Sequence, residues 1–303
     1  MLAMADDTNF LLLVLLLSSS SLCFGSEADI QCLKSVQQSV IDPNGVLKST
    51  WNFENPNPTD GYICRFTGVE CWHPDENRVL SLRLGNLGLE STFPQGLQNC
   101  SSMIGLDLSN NNFSGPIPSE IAREVPYLTS LDLLYNSFSG SIPQNISNMT
   151  SMSGLDLSSN NFSGSIPSSI AHQIPYVTSL NLSYNNFSSE IPESMANLAY
   201  LNMVNLQHNQ LGGQIPEHFS MLGRLTSFNV ADNLLSGHIP TFAQDFSPLN
   251  FAGNRDLCGA PLDECPRSRR WMLVPIKLRR INEESSIGAA VGFVLGFVVA
   301  FYF

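Results

Sequence analysis

The segment LDLSNNNFSGPIP, Leu106 to Pro118, returns as LDLLYNSFSGSIP from Leu131, LDLSSNNFSGSIP from Leu155, LNLSYNNFSSEIP from Leu180, VNLQHNQLGGQIP from Val204 and FNVADNLLSGHIP from Phe228. The starts are 25, 24, 25, 24 and 24 residues apart, and a weaker copy, LRLGNLGLESTFP, begins 24 residues earlier at Leu82. A unit of this length cannot bury an apolar face by itself. Seven copies over 79–242 therefore predict an α/β solenoid whose core forms only when coils stack. On a longer step of 49 residues, PSEIAREVPYLTSLDL returns as PSSIAHQIPYVTSLNL, which points to tandem duplication of a pair of repeats.

Each position in the unit has a physical task. Pairs such as Leu106 and Leu108 point inward from a short strand and the residue between them faces out, because side chains alternate along a strand. Parallel stacking then predicts one narrow sheet. Asn111, Asn136, Asn160, Asn185, Asn209 and Asn233 fall at the inward turn after the strand. An amide both donates and accepts, so these residues are expected to form a ladder that satisfies buried backbone between coils. Phe113, Phe138, Phe162, Phe187, Leu211 and Leu235 supply a second apolar row, and Gly115, Gly140, Gly164, Gly213 and Gly237 suit a tight bend.

The open ends of such a stack need covers. Ahead of it, Ile30, Leu33, Val36 and Val40 recur at near-helical spacing, Asp42 to Gly45 (DPNG) ends that helix, and GYICRFTGVECW (Gly61 to Trp72) closes a small loop. Residues 26–78 read as an N-terminal cap, and 243–266, with FAGNRDLCGAPLDEC, as a C-terminal one. Cys64 with Cys71 and Cys258 with Cys265 are close pairs within these caps, which leaves Cys32 to Cys100 by elimination. Zinc is the competing explanation, but the chain has no CxxC pair or Cys/His cluster to hold it.

The xLxxLxLxxNxFxGxIPxx unit is similar to the plant-type leucine-rich repeat of receptor kinases and receptor-like proteins. The N-cap segments DIQCLKSVQQSVIDPNGVLKSTW and GYICRFTGVECWHPDENRVLSLRL, with LGRLTSFNVADNLLSGHIP and DLCGAPLDEC, resemble more narrowly the BIR family. The resemblance covers about 28–266 and implies an ectodomain that binds SERK-type co-receptor kinases and restrains immune or hormone signalling. Two departures stand out: the array is one pair of repeats longer than that family implies, and no kinase domain follows. A reading from another class is an apoplastic inhibitor of cell-wall-degrading enzymes, similar to polygalacturonase-inhibiting proteins, although those have different cap cysteines and no membrane helix.

Both ends of the chain read as membrane-directed. Phe10 to Leu17 is a short apolar run followed by small residues, so 1–25 is expected to be a secretory signal peptide, with Asp6 and Asp7 where basic residues are usual. Residues 267–286 form a basic linker holding six of the fourteen Lys and Arg, and 287–303 is an uncharged run with Gly288, Gly292 and Gly296, read as a transmembrane helix cut near its inner edge. The expectation is a single-pass plasma-membrane protein with its ectodomain outside. The basic segment then lies outside too, against the usual charge bias, and the lack of basic residues after the span points to a truncated receptor-like chain.

Catalytic signatures are missing: the sequence has no Gly-rich phosphate loop, no GxSxG and no HExxH, and His73, His172, His208, His218 and His238 are scattered. The chain is read as non-enzymatic, without a cofactor. A net charge of -12 with no basic stripe on the repeats argues against nucleic acid. Binding is assigned instead to the outward residues of the strands, Arg83, Asp107, Asp132, Asp156, Asn181, Asn205 and Asn229, which stack into a column on the concave face. Glycosylation sequons occur at Asn99, Asn112, Asn145, Asn148, Asn161, Asn181 and Asn186. A glycan on Asn181 would obstruct that face and send partners to the N-cap, the first repeats or a lateral edge.

Overall fold

The computed structural model describes residues 27–54, 61–170 and 174–266. The expected signal peptide, linker and transmembrane helix lie outside them, and no helix among the described residues is long and apolar enough to cross a membrane. The chain divides into two units after Cys265, and of the second only Pro266 is described.

Seven short strands, Val79–Arg83, Gly105–Asp107, Ser130–Asp132, Gly154–Asp156, Ser179–Asn181, Met203–Asn205 and Ser227–Asn229, pair in parallel, each with the next coil. Val69–Cys71 of the N-cap adds an antiparallel strand at the outer side of Val79–Arg83. The middle residues Leu82, Leu106, Leu131, Leu155, Leu180, Val204 and Phe228 are buried, as is the apolar residue two places on in each coil.

The expected single sheet is only half of the arrangement. The NFSG segments form a second row of parallel pairs, from Glu90–Ser91 through Asn112–Gly115, Ser137–Gly140, Asn161–Gly164, Asn186–Glu190, Gln210–Gln214 and Leu234–His238 to Asp256–Cys258. The reason lies in the coil itself. Once the inner turn is held, the segment after it leaves in extended conformation beside its counterpart one coil away, and its exposed N–H and C=O groups pair.

The ladder asparagines set that turn. Asn160 Nδ2 donates to Leu133 O of the preceding coil (2.8 Å) and to Leu157 O and Ser158 O of its own (3.2 and 3.0 Å), and its Oδ1 accepts from the N–H of Phe138 (2.9 Å). Asn111, Asn136, Asn185, Asn209 and Asn233 repeat the pattern, each donating to the preceding coil. Asn254 of the C-cap continues it, donating to Val230 O and accepting from Leu235 N. Behind the turns Phe113, Phe138, Phe162 and Phe187 stack with centroids 6.0 to 6.2 Å apart and planes within 9° of parallel. On the outer side Ile117, Ile142, Ile166, Ile191, Ile215 and Ile239 are buried, and Pro143, Pro192 and Pro216 lead into short helical turns.

The N-cap helix, 27–39, buries Ile30, Leu33 and Val36. Asp42 follows it and accepts from the N–H groups of Val46, Leu47 and Lys48, so it caps the next helix, Val46–Thr50. Trp51 is buried, donates from Nε1 to Thr67 O and stacks on Phe66 at 6.0 Å. Disulfides join Cys32 to Cys100, Cys64 to Cys71 and Cys258 to Cys265.

Two local conflicts have measurable consequences. Glycine occupies the bend with φ between 71 and 84° at Gly115, Gly140, Gly164, Gly213 and Gly237, but the coil starting at Leu180 has Ser189 there at φ 71°. A side chain in that region costs about 1 kcal/mol. In the cap, Asp29 is 2% exposed and its Oδ1 has no partner among the described residues. Burial outweighs a bond from the Val79 N–H and the charge of Arg78, and lifts its pKa to about 7.

Three outcomes are expected in urea denaturation of the soluble ectodomain. Asn160→Ala strands buried backbone groups in two coils and lowers stability by about 3 kcal/mol. Ser189→Gly raises it by about 1 kcal/mol. Because the folded pKa of Asp29 lies above the unfolded value of 3.8, its favourable contribution is full below pH 3.8 and is lost as pH rises toward 7. Stability should fall by about 1 kcal/mol per pH unit across that window, and Asp29→Asn should flatten the slope.

Candidate binding surfaces

Since all seven inner strands run the same way, their outward side chains make a floor, expected to be the concave face, with an upstream edge where the chain enters the strands and a downstream edge where it leaves. The column expected to bind sits on the floor. Arg83, Asp107, Asp132, Asp156, Asn181, Asn205 and Asn229 are paired in register from strand to strand.

Six of these seven side chains, all but Asn205, already have partners among the described residues. Asp107, Asp132 and Asp156 each accept the N–H two residues on, from Ser109, Leu134 and Ser158, at 2.8 to 2.9 Å. Asn229 does the same for Ala231, and Asn181 for Ser183. The outward residue thus closes a small turn at the strand exit. Arg83 leans away to Glu70 of the N-cap, 2.9 Å from Nε, and Glu70 also accepts from the hydroxyl of Ser81. Asp132 lies in the middle of the acidic stack. Partial burial raises its pKa, the Leu134 N–H opposes this, and Asp156 and Asp107 on either side raise it further. Among the described residues no group of three His, Cys, Asp or Glu could hold a metal ion.

The upstream edge carries what the sequence reading missed. Four residues before Leu82, Leu106, Leu131, Leu155, Leu180, Val204 and Phe228 stand Arg78, Ser102, Tyr127, Ser151, Tyr176, Tyr200 and Arg224. Tyr127, Tyr176 and Tyr200 are 59%, 57% and 43% exposed. Tyr176 and Tyr200 lie 5.8 Å apart, and the Arg224 guanidinium sits 5.2 Å over Tyr200. At the other end Trp72 lies under Arg78 at 5.3 Å, and both donate to Ser102. Exposed aromatic rings and arginines thus line one edge, with serines at two of its seven positions and ring–guanidinium packing at both ends. The signal available in the sequence is the recurring tyrosine of PYLTS, PYVTS and AYLNM.

The downstream edge differs. Four residues after Leu82, Leu106, Leu131, Leu155, Leu180, Val204 and Phe228, the residues Asn86, Asn110, Tyr135, Ser159, Tyr184, His208 and Asp232 have φ between 53 and 59°, a left-handed conformation at the inner turn that is found ahead of Leu87 in the first coil as well as ahead of the ladder asparagines. Tyr184 stacks on His208 at 4.2 Å, and His208 Nδ1 lies 3.4 Å from Asp232. Two residues further on, Asn112, Asn161 and Asn186 are exposed at the starts of second-sheet strands. Of the remaining sequons, Asn148 is exposed and ends an outer turn, Gln144–Asn148, within which Asn145 is half-buried, while Asn99 ends the turn Leu97–Asn99.

This architecture has relatives. Residues 26–72 match the family described as Leucine rich repeat N-terminal domain, and 102–123, 127–149, 151–173, 176–198 and 200–222 match Leucine Rich Repeat. The inactive LRR receptor-like serine/threonine-protein kinase BIR2 of Arabidopsis thaliana is 44% identical over 118 residues, covering 39% of this chain and 19% of that protein. The crystal structure of the BIR2 ectodomain from the same plant is 37% identical, covers 78% of this chain and 98% of its own, and has a TM-score of 0.41. The Arabidopsis receptor kinase HAESA, solved in complex with the peptide hormone IDA and the co-receptor SERK1, is 29% identical over 70% of this chain and 39% of its own, with a TM-score of 0.62. The chain spans about a fifth of the length of the curated relatives it matches. It belongs to the leucine-rich-repeat receptor-like kinase family, as an ectodomain-sized part resembling the inactive members of BIR type.

Proposed function

We propose that this chain acts by binding and not by catalysis: it is the ectodomain of a single-pass cell-surface protein that docks a SERK-type co-receptor ectodomain through its upstream edge and so modulates plant immune or hormone signalling. The observation that carries this reading is the ridge of Trp72, Tyr127, Tyr176 and Tyr200 bounded by Arg78 and Arg224. Aromatic rings and arginine dominate the energetic centres of protein interfaces because they bury much area while losing little conformational freedom. The concave column is a weaker candidate, since its carboxylates are already engaged by strand-exit N–H groups and are mutually repulsive.

One relative supports the choice of partner and another the non-catalytic role. HAESA is solved together with a SERK1 co-receptor. The BIR2 kinase is named inactive, which fits a role exerted by contact alone.

The measurement is the affinity of the secreted ectodomain for a SERK-type ectodomain by biolayer interferometry. Replacing Tyr127, Tyr176 and Tyr200 together with Ala should weaken binding by at least about tenfold. Asp107→Asn and Asp156→Asn should change it less than about threefold. The opposite pattern would move the site to the concave floor, and inhibition of a polygalacturonase without co-receptor binding would favour the apoplastic-inhibitor reading.

A further inference from the structure

Sequons that look equivalent in the sequence occupy unequal places in the fold. Asn112, Asn161 and Asn186 share one position, the sixth after the strand's first apolar residue, and all three are exposed on the downstream edge. No hydrogen bond holds their side-chain amides among the described residues. A sugar attached there extends into solvent without displacing anything.

Asn181 sits on the concave floor with its amide fully used. Its Nδ2 donates to Asp156 Oδ2 at 2.9 Å and to Ser158 Oγ at 3.1 Å, so both hydrogens bridge to the preceding coil. Its Oδ1 accepts from the Ser183 hydroxyl at 2.8 Å and from the Ser183 N–H at 3.3 Å. Ser183, the hydroxyl residue of the same sequon, is 3% exposed, and Leu182 between them is buried. An N-linked glycan replaces one amide hydrogen. On Asn181 it would break one of the two bonds to the preceding coil and set a sugar against Asp156 and Asn205, its neighbours in register.

We propose that the folded protein carries N-linked glycans at Asn112, Asn161 and Asn186 as one row along the downstream edge, while Asn181 stays unmodified. The assignment rests on the functional reading only for passage through the secretory pathway. Glycans are added before folding is complete, so the structure acts by selection: a chain modified at Asn181 folds without its lateral bond and is depleted from the native population. The row coats the edge away from the aromatic ridge and leaves both ridge and concave floor bare. The sequons end at Asn186, so the coils from Val204 onward carry none.

The test uses the full chain expressed in plant cells and extracted from the plasma-membrane fraction in detergent, with the monomer isolated by size exclusion under non-reducing conditions. Enzymatic release of N-glycans in heavy-oxygen water converts each formerly modified Asn to a labelled Asp, which peptide mass spectrometry locates. Label is expected at Asn112, Asn161 and Asn186 and not at Asn181. In parallel, Ser114→Ala, Ser163→Ala and Ser188→Ala should each remove one glycan's worth of mass on a denaturing gel, whereas Ser183→Ala should remove none. Label at Asn181 in the monomer overturns the proposal, and so does an unlabelled row. If unlabelled protein is recovered at the cell surface, the proposal falls and the export reading stands; if the chain never reaches the surface, both fall.

Discussion

One side-chain amide per coil holds this molecule together. A 24-residue coil turns inward after its strand, and the N–H and C=O groups of that turn point where water cannot reach. Asparagine is short enough to fit there and carries both a donor and an acceptor, so each ladder residue satisfies carbonyls of its own turn and bridges to the preceding coil. The bond is lateral, which makes each coil's backbone satisfaction depend on its neighbour. That dependence is why the stack is cooperative, and why the C-cap extends it with Asn254 instead of stopping at the last full repeat.

The ladder also shapes the surfaces available for recognition. It holds an inner turn whose preceding residue is in left-handed backbone, even where that residue is Tyr135, Tyr184 or His208. It then releases the following segment in extended form, and the second sheet results. The downstream edge is thereby committed to backbone pairing and constrained turns. The upstream edge is also paired from coil to coil, through bonds such as Thr129 N–H to Ile104 O and Thr178 N–H to Ser153 O, but two residues before that row the side chains of Tyr127, Tyr176 and Tyr200 stand exposed at repeat spacing.

The concave floor shows how a structural task limits a functional one. A strand of three residues needs its exit closed, and Asp or Asn at the outward position does so by accepting the N–H two residues on. Partial burial is the main reason the pKa of Asp132 is raised, and the flanking Asp156 and Asp107 raise it further, so stacking three aspartates one strand apart carries an electrostatic cost. Where the column changes to Asn181, the amide donates to Asp156 and relieves that repulsion at one end.

The sequence by itself determined the period, the burial of one leucine pair per coil, the asparagine spacing and the family, because these follow from side-chain alternation and from a repeat too short to fold alone. It was silent where the outcome depends on how neighbouring coils meet. The tyrosines three residues before the strand are not constant along the chain, so only the parallel stack reveals that they fall on one edge between two arginines. Asp29 lies in an ordinary amphipathic helix, and only the rotation of that helix against Val79 and Arg78 buries its carboxyl. The NFSG segments give no strand signal alone, since their pairing partners are a whole coil away. Asn112 and Asn181 carry equally valid sequons, and tertiary structure alone distinguishes them, because only contact with the preceding coil shows which amide is already fully bonded.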